Sequence, residues 1–389
     1  MKTPLIVTTA VARAALAIGL TFGASSMSVA ATFVYVSDAD DATIDSYTMD
    51  AKTGALTSIG KIEAGKTVMP MAVSPNKKFL YAVVRSQPTR VLTYAIDAKT
   101  GALTQKASAP LPDSMPYVST DRSGRFLFTA SYGGDKVAVS PIGADGLVTA
   151  EAIQILPTGR NAHSILADRN NHFVYSANLG ANQVLQFAFD SKTGKLSPLD
   201  PPAVKPEAGH GPRHLAFSRD NKFLYVLNEL SGHVTQYAID GSKGTLTLVD
   251  SVPSVPPELG MKWGQPQAPV GAAPAAAPKP DEKPAIWAAD LRLTPNGKFL
   301  YSTERNTDKI ALFTVAPRTG KLTYITNFAT ERQPRGINID PSGRYLVASG
   351  EKSDRLSVYR IDQASGKLSE PARFPVGKGA NWVEIVEVK

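Results

Sequence analysis

The stretch FLYAVV at Phe79–Val84 recurs with small changes along the chain and decides the fold. Its other copies are FVYVSD at Phe33, FLFTAS at Phe126, FVYSAN at Phe173, FLYVLN at Phe223, FLYSTE at Phe299 and YLVASG at Tyr345. A turn glycine follows each core after 20 to 22 residues, and the cores are 46, 47, 47, 50, 76 and 46 residues apart. Several short strands in a period of forty-odd residues are typical of a propeller blade. The sequence therefore predicts an all-β fold, a seven-bladed β-propeller.

Four strands can be placed in each repeat. An apolar segment such as His214–Phe217 precedes the aromatic core, an alternating segment such as Val234–Ile239 follows it, and a glycine turn leads to the fourth strand. Glycine there supplies the positive φ of a short hairpin loop. Aspartates such as Asp97 recur in these turns. Because they recur at one structural position, we interpret them as turn caps rather than calcium ligands.

The first core lacks the apolar segment that precedes the other six. Residues 381–386, NWVEIV, have the pattern of that segment and no core after them. We therefore predict that the C-terminal strand becomes the innermost strand of the blade begun by Phe33. Such pairing of the two chain ends closes the ring and removes its sheet edges.

Polar residues collect at the strand ends that should meet around one mouth of the central channel. Ten residues before each core, and by pattern at the end of the chain, the sequence has Met69, Pro116, His163, Arg213, Ala289, Arg335 and Asn381. The next position carries Pro70, Tyr117, Ser164, His214, Asp290, Gly336 and Trp382. Six residues after each core stand Ala39, Arg85, Tyr132, Leu179, Glu229, Arg305 and Glu351. Packing alone would favour small or apolar residues here, so this mouth is the predicted functional site.

Each candidate also has a structural interpretation. His163 could bond a neighbouring turn, Arg213 and Arg335 could be surface arginines, and Glu229 could merely neutralise Arg213. His214 and Asp290 more often support other groups than react. His172, His210 and His233 fall outside the register, and we expect them on the surface.

The N-terminus has the features of a signal peptide. Lys2 and Arg13 form a positive region, Ala14 to Phe22 an apolar region, and Ser28-Val29-Ala30 a small-residue cleavage site. The apolar run is too short for a membrane anchor. We predict a signal peptide over residues 1–30, a single propeller domain over 31–389, and a periplasmic or secreted protein.

Composition limits the partners. The chain has no cysteine, which excludes disulfides, thiolate metal sites and a cysteine nucleophile. The formal net charge is +8, and loss of Lys2 and Arg13 with the signal leaves +6. The sequence contains no run of basic residues interleaved with aromatic residues, the pattern that would indicate nucleic-acid binding. We expect a monomer that has no cofactor or metal and that does not contact the membrane after signal cleavage. The positive net charge reflects either a solvated basic surface or a preference for small anions.

The long step between the fifth and sixth cores contains a Pro- and Ala-rich insertion, at about residues 253–284. Because the connection between blades lies on the functional face and this composition cannot bury a core, we expect the insertion there, extended and largely disordered. It is either a tolerated surface insertion or a lid beside Trp287.

Several segments around the predicted mouth carry a resemblance. Met69–Pro75 (MPMAVSP), Gly211–His214 (GPRH), Asn228–Leu230 (NEL), Trp287–Asp290 (WAAD) and Gln333–Gly336 (QPRG) together resemble the seven-bladed lactonase family. The resemblance is to its propeller-type 6-phosphogluconolactonases and, more distantly, to the carboxy-muconate cyclising enzymes. It covers the chain from Phe33 to the last strand.

The resemblance implies opening of a sugar lactone without an obligatory metal. It places the family's catalytic histidine, arginines and glutamate on His163, Arg213, Arg335 and Glu229. We assign substrate contacts to Arg85, Tyr132, His214, Asp290 and Trp287. The alternative function is a non-catalytic binding propeller that holds an anionic ligand or a protein partner. The signal peptide is foreign to a family whose phosphorylated substrate is cytosolic. The sequence therefore does not identify which lactone is the substrate.

The predicted mechanism is hydrolysis by water. His163 acts as the general base that takes a proton from the attacking water, and Arg213 and Arg335 bind a substrate anion or stabilise the developing oxyanion. Glu229 either orients the imidazole or compensates Arg213.

Overall fold

Seven four-stranded antiparallel sheets make up the computed structural model, which describes residues 1–6, 8–9, 30–149, 151–269 and 283–388. The first sheet contains β1 (Ala31–Asp38), β2 (Thr43–Met49), β3 (Leu56–Glu63) and the last strand, β28 (Ala380–Val388). The second and third sheets contain β4 (Val68–Val73), β5 (Phe79–Val84), β6 (Arg90–Ile96), β7 (Leu103–Pro110), β8 (Tyr117–Thr120), β9 (Phe126–Ser131), β10 (Lys136–Pro141) and β11 (Gln154–Pro157). The seven-bladed propeller predicted from the repeat is thereby confirmed.

The remaining sheets follow the same order from the channel outward. The fourth and fifth contain β12 (Ala162–Ala167), β13 (Phe173–Asn178), β14 (Gln183–Asp190), β15 (Lys195–Val204), β16 (Pro212–Phe217), β17 (Phe223–Asn228), β18 (His233–Ile239) and β19 (Leu246–Pro253). The sixth and seventh contain β20 (Ala288–Leu293), β21 (Phe299–Glu304), β22 (Lys309–Val315), β23 (Leu322–Ala329), β24 (Pro334–Ile339), β25 (Tyr345–Gly350), β26 (Arg355–Arg360) and β27 (Ala372–Pro375). A short 3₁₀ turn at Pro257–Leu259 begins the insertion between β19 and β20.

The ring closes as predicted, because β28 pairs with β1. The pairing runs antiparallel from Ala31 opposite Val388 to Ser37 opposite Trp382. The buried Asn381 side chain donates to the Ser37 carbonyl oxygen at 3.3 Å. On β28, Trp382, Val383 and Val386 are at most 6% exposed, so this strand contributes to the core as well as to the ladder.

The two signature residues of the repeat meet across neighbouring blades. The first aromatic residue of each core packs on the turn glycine of the next blade, in the pairs Phe33–Gly101, Phe79–Gly146, Phe126–Gly194, Phe173–Gly244, Phe223–Gly320, Phe299–Gly366 and Tyr345–Gly54. A Cβ on Gly320 would lie 2.5 Å from Cδ2 of Phe223. Each glycine also has a φ between 64° and 82°. Only glycine fits these positions, because the positive φ disfavours a side chain and the neighbouring aromatic ring leaves no space for one.

A tyrosine two residues after five of the core aromatics strengthens the same joints. The Tyr35 hydroxyl donates to the carbonyl oxygen of Gly101 at 2.8 Å, and that of Tyr225 to Gly320 at 2.8 Å. The equivalent tyrosines in the cores at Phe79, Phe173 and Phe299 make the same bond. The core thus lies between blades, where each sheet packs on its neighbour.

The turn aspartates cap their turns, as predicted. Asp97, for example, accepts hydrogen bonds from the backbone N–H groups of Lys99 and Thr100 at 3.0 and 2.8 Å. No cluster of three or more metal-binding side chains occurs among the described residues.

One expectation about the histidines is wrong. His172 is exposed, but His210 is 1% exposed and His233 is partly buried. Both rings pack against Trp263 of the insertion, with centroids 5.2 and 6.0 Å away. The register could not show this, because the covering residue comes from the insertion.

The predicted signal peptide falls mostly outside the described residues, as do residues 270–282 of the insertion. Within the described part of the chain, no helix has the length and apolar character needed to cross a membrane.

Candidate active site

A cavity of about 160 Å³, partly open to solvent, lies where the inner strands begin. This size is below the roughly 300–1,000 Å³ of sites for drug-sized molecules, so the cavity suits a small ligand. Its lining residues are Arg85, Pro116, Tyr132, His163, Glu229, Gln267, Ala268, Pro269, Trp287, Arg305 and Arg335. Three arginines and one carboxylate line it, so the cavity carries a formal excess of positive charge.

β-Bulges at the starts of the inner strands place the site residues. In the fourth blade Ala162 pairs with Asn178 and Ser164 with Ala177, which leaves His163 as the extra residue. The same irregularity leaves Arg213, Arg335 and Asn381 unpaired in their own blades. A bulge bends its strand and redirects the side chain of the extra residue. Four residues of the polar register are thus bulge residues.

His163 is a buried, neutral imidazole at the cavity wall. It is 5% exposed, and its Nδ1 atom has no hydrogen-bond partner within the described residues. Its ring meets those of Tyr132 and His214 edge-on, with centroids 5.8 and 5.3 Å away. Burial, followed by the charge of Arg213, lowers the pKa of His163 well below its usual value. The imidazole is therefore uncharged at neutral pH.

Glu229 joins two arginines and a tryptophan. Its Oε2 atom accepts from Nε of Arg213 at 2.6 Å and lies 2.9 Å from Nη2 of Arg305. Its Oε1 atom accepts from Nε1 of Trp287 at 3.1 Å. The Arg305 guanidinium also lies 3.6 Å from the centre of the Trp287 ring, in cation–π contact. Both carboxylate oxygens are occupied, and no hydrogen bond joins Glu229 to His163.

Arg213 lies beneath the cavity wall rather than on it. The side chain is 1% exposed, and its Nη1 atom is 3.0 Å from Nε2 of His214 and donates to the carbonyl oxygen of Ala289. Burial and the neighbouring Arg305 lower the pKa of Arg213 to about 9, while Glu229 opposes this shift. Arg213 thus remains a cation that is fixed by acceptors on three sides.

His214 and Asp290 hold Arg213 from below. Nδ1 of His214 is 2.8 Å from Oδ1 of Asp290, and Oδ2 of Asp290 accepts from the backbone N–H of Ile337. Burial and the charge of Arg213 lower the pKa of His214 to about 3, so the ring is neutral. With Nδ1–H donated to Asp290, Nε2 is the acceptor for Arg213. The pair therefore orients an arginine.

Arg85 and Arg335 face the cavity with different partners. Arg335 donates to Oε1 of Glu351 at 3.3 Å. Arg85 is 7% exposed and contacts Oγ of Ser114 and Sδ of Met69, and it has no carboxylate within ion-pair distance among the described residues. Burial, followed by repulsion from Arg335, lowers the pKa of Arg85 to about 9. A buried guanidinium without a counterion favours an anionic ligand.

Six of the nine predicted site residues line the cavity, namely Arg85, Tyr132, His163, Glu229, Trp287 and Arg335. Arg213, His214 and Asp290 form the layer below. Arg305 was in the polar register but was not assigned to the site. Gln267, Ala268 and Pro269 were missed as well, and the one available signal was the placement of the insertion on this face.

The fold and this cavity define a class: a seven-bladed propeller with a cationic small-molecule site at one end of its channel. The family model described as lactonase, 7-bladed beta-propeller, matches residues 31–385. The chain belongs to this family. A 6-phosphogluconolactonase of Serratia proteamaculans is 39% identical over 355 residues, which cover 91% of this chain and 98% of the relative. One of Erwinia tasmaniensis is 37% identical, over 85% of this chain and 92% of the relative.

A solved structure shares the architecture. The periplasmic gluconolactonase of Pseudomonas aeruginosa superposes with a TM-score of 0.79 at 24% identity, covering 93% of this chain and 100% of that one. At this identity the likeness supports the fold.

Proposed function

We propose that this protein is a lactonase that hydrolyses the lactone of an aldonic acid, in the manner implied by its 6-phosphogluconolactonase relatives. One observation carries the proposal: the cavity is lined by a neutral imidazole, His163, together with three arginines, of which Arg85 has no carboxylate within ion-pair distance among the described residues. Lactone opening needs a base for water and positive charge for the developing oxyanion, and the cavity offers both.

In the proposed reaction, water attacks the lactone carbonyl while His163 accepts its proton. Negative charge develops on the carbonyl oxygen, and the guanidinium groups at the cavity wall stabilise it. The bond between the acyl carbon and the ring oxygen then breaks, and the imidazolium returns the proton to that oxygen. The products are a hydroxyl group and a carboxylic acid, which loses its proton to solvent.

Arg85 is proposed to bind the anionic group of the substrate. It is buried and lacks an ion pair, so a substrate phosphate or carboxylate would supply the missing charge. Arg305 and Arg213 are held together by Glu229, which we propose acts as an electrostatic clamp. This role fits the hydrogen bonds of Glu229 better than that of a base.

The test is hydrolysis of 6-phosphogluconolactone and unphosphorylated gluconolactone by purified residues 31–389. We expect turnover of the phosphorylated lactone to exceed spontaneous opening, and His163→Ala to lower it while binding persists. If His163→Ala kept full activity and Glu229→Gln abolished it, Glu229 would be the base. If no lactone were opened but 6-phosphogluconate still bound, the protein would be a binding propeller.

Export is proposed from the sequence of residues 1–30. Expression of the full chain should yield a mature protein beginning near Ala31 outside the cytoplasm, which N-terminal sequencing of cell fractions would establish. Recovery of the intact chain in the cytoplasm would contradict it.

A further inference from the structure

Part of the insertion crosses the mouth of the cavity. Residues 262–269, called the arm below, leave the connection between the fifth and sixth blades and reach the third. The hydroxyl of Tyr132, just after β9, donates to the carbonyl oxygen of Gln267 at 3.0 Å. Gln267, Ala268 and Pro269 line the cavity together with His163. The arm is therefore a wall of the cavity on the side of the imidazole.

The arm is fixed at its base by backbone hydrogen bonds. The N–H of Lys262 donates to the carbonyl oxygen of Pro284 at 3.1 Å, and the N–H of Ile286 donates back to Lys262 at 2.8 Å. The N–H of Gly264 then donates to the carbonyl oxygen of Leu230 at 2.8 Å. These bonds join the two ends of the insertion to each other and to the fifth blade.

Trp263 anchors the arm in a pocket made by two histidines. The ring centroids of His210 and His233 are 4.9 Å apart, and Trp263 meets His210 almost perpendicularly. Gly209 packs against the same indole, where a Cβ would lie 3.4 Å from Cε3. His210 is 1% exposed although it lies on a connecting segment. This site thus accounts for two histidines that the polar register does not use.

The surface below the arm differs from the rest of the mouth. Tyr132, Leu179 and Leu230 form a small apolar cluster at the ends of the second strands of blades three to five. Tyr132 and Leu179 lie six residues after their cores, where the second, fifth, sixth and seventh blades carry Arg85, Glu229, Arg305 and Glu351, and Leu230 comes one residue later. The mouth is therefore divided into an apolar part, which the arm covers, and a charged part, which stays open to a ligand.

We infer that the arm is a fixed, specificity-determining wall, which restricts the enzyme to lactones of a single sugar ring. The inference rests on the proposed function. Because the arm occupies the space above Tyr132 and His163, a second sugar on the substrate would collide with Gln267 and Pro269. A fixed wall, unlike a lid, does not move during turnover.

A reversible cross-link tests whether the arm is fixed. A Cβ on Gly133 would lie 3.1 Å from Cβ of Pro269, and disulfides join Cβ atoms about 3.5–4.5 Å apart, so a small adjustment suffices. The chain has no native cysteine, so the variant Gly133→Cys/Pro269→Cys can form one pair only. Gly133→Cys alone is the matched control.

We expect the oxidised double variant to lose both free thiols and to keep kcat on gluconolactone within about twofold of its reduced form. Two results would overturn the inference. One is failure of the pair to oxidise, which would show that the arm does not rest on Gly133. The other is a large loss of turnover that reductant restores, which would show that the arm must open.

A second variant tests specificity. Trp263→Ala removes the anchor without opening the core, because this side chain is 41% exposed. We expect kcat/KM for lactobionolactone, which carries a second sugar, to rise about tenfold relative to gluconolactone. Leu248→Ala removes another exposed side chain, on β19, and should leave the ratio unchanged. An unchanged ratio in Trp263→Ala would refute the assigned role.

The two proposals fail in different ways. If the unaltered protein opened no lactone, the proposed function would fall, while thiol loss in the double variant would still report the position of the arm. Size selection would then be measured by calorimetry, as binding of gluconate against lactobionate. Equal binding of the two anions by the unaltered protein would overturn the inference that the arm selects ligands by size.

Discussion

Replacing Arg85 by methionine should make the protein more stable and a poorer enzyme at once. Its guanidinium is buried and has no carboxylate within ion-pair distance among the described residues. Because arginine stays protonated in proteins, the low pKa measures the cost of burying its charge. Burial, followed by repulsion from Arg335, lowers this pKa to about 9, which corresponds to a cost on the order of a few kcal/mol.

The variant recovers part of this cost. Methionine fills a similar volume but loses the hydrogen bond to Ser114, worth about 1 kcal/mol. Replacement of buried charges by apolar side chains has stabilised proteins by about 1–4 kcal/mol. We therefore expect the free energy of unfolding to rise by about 1–3 kcal/mol in chemical denaturation, and Tm to rise by a few degrees.

The catalytic cost appears in substrate binding. A hydrogen bond to a charged group contributes about 1.5–3 kcal/mol, so KM for 6-phosphogluconolactone should rise about 10- to 100-fold. Arg335→Met is the control, because it leaves Glu351 without its partner and should not stabilise the fold. A destabilised Arg85→Met protein, or one with an unchanged KM for the phosphorylated lactone, would refute this account of Arg85.

Three further predictions concern the base, the closure and the joints between blades. His163→Ala should lower kcat about 10²- to 10⁴-fold with little change in KM. In the unaltered protein, kcat/KM should stay level as the pH falls through about 6.5, because burial lowers the pKa of His163. A fall in kcat/KM centred at about pH 6.5 would contradict the burial argument. Deleting residues from Asn381 onward removes three buried apolar side chains worth about 1.5–3 kcal/mol each, together with the buried Asn381, so the protein should not unfold cooperatively; an unchanged Tm would contradict the closure. Gly320→Ala should destabilise the ring by more than about 1 kcal/mol in denaturant titration, because the methyl group meets Phe223, and Gly241→Ala, with open space around it, is the control.

The fold could be predicted from the sequence because one contact repeats seven times. Phe223 and Gly320 are separated by a long insertion, yet they keep the roles that Phe33 and Gly101 have in an uninterrupted step. The repeat period was therefore enough to predict the number of blades and the closure of the ring. It did not show that aromatic and glycine come from different blades, since spacing within a repeat cannot show contacts between repeats.

The site was predictable in position but not in detail. Residues at the starts of the inner strands had to converge, so His163 and Arg335 could be placed at the mouth. Arg213 shares their register, yet it turns beneath the wall because Glu229, His214 and the Ala289 carbonyl supply acceptors there. Alternation along a strand gives the face of a residue, but a bulge changes that face, and bulges leave no pattern in the sequence.

The part played by the insertion was also beyond the pattern. Its composition indicated an extended, largely disordered segment on the functional face; the arm lies on that face, and backbone hydrogen bonds hold its base. The docking of Trp263 on His210 could not be predicted, because neither residue belongs to the repeat.

The first strand of the propeller to be synthesised is the last to gain its inner neighbour. Ala31 pairs with Val388, 357 residues later in the chain, so one edge of β1 stays unpaired until translation is almost complete. That strand carries Phe33 and Tyr35, both fully buried in the finished ring. An open apolar strand edge is a template for aggregation. We therefore expect the growing chain to leave this edge of β1 uncovered for nearly the whole of its synthesis.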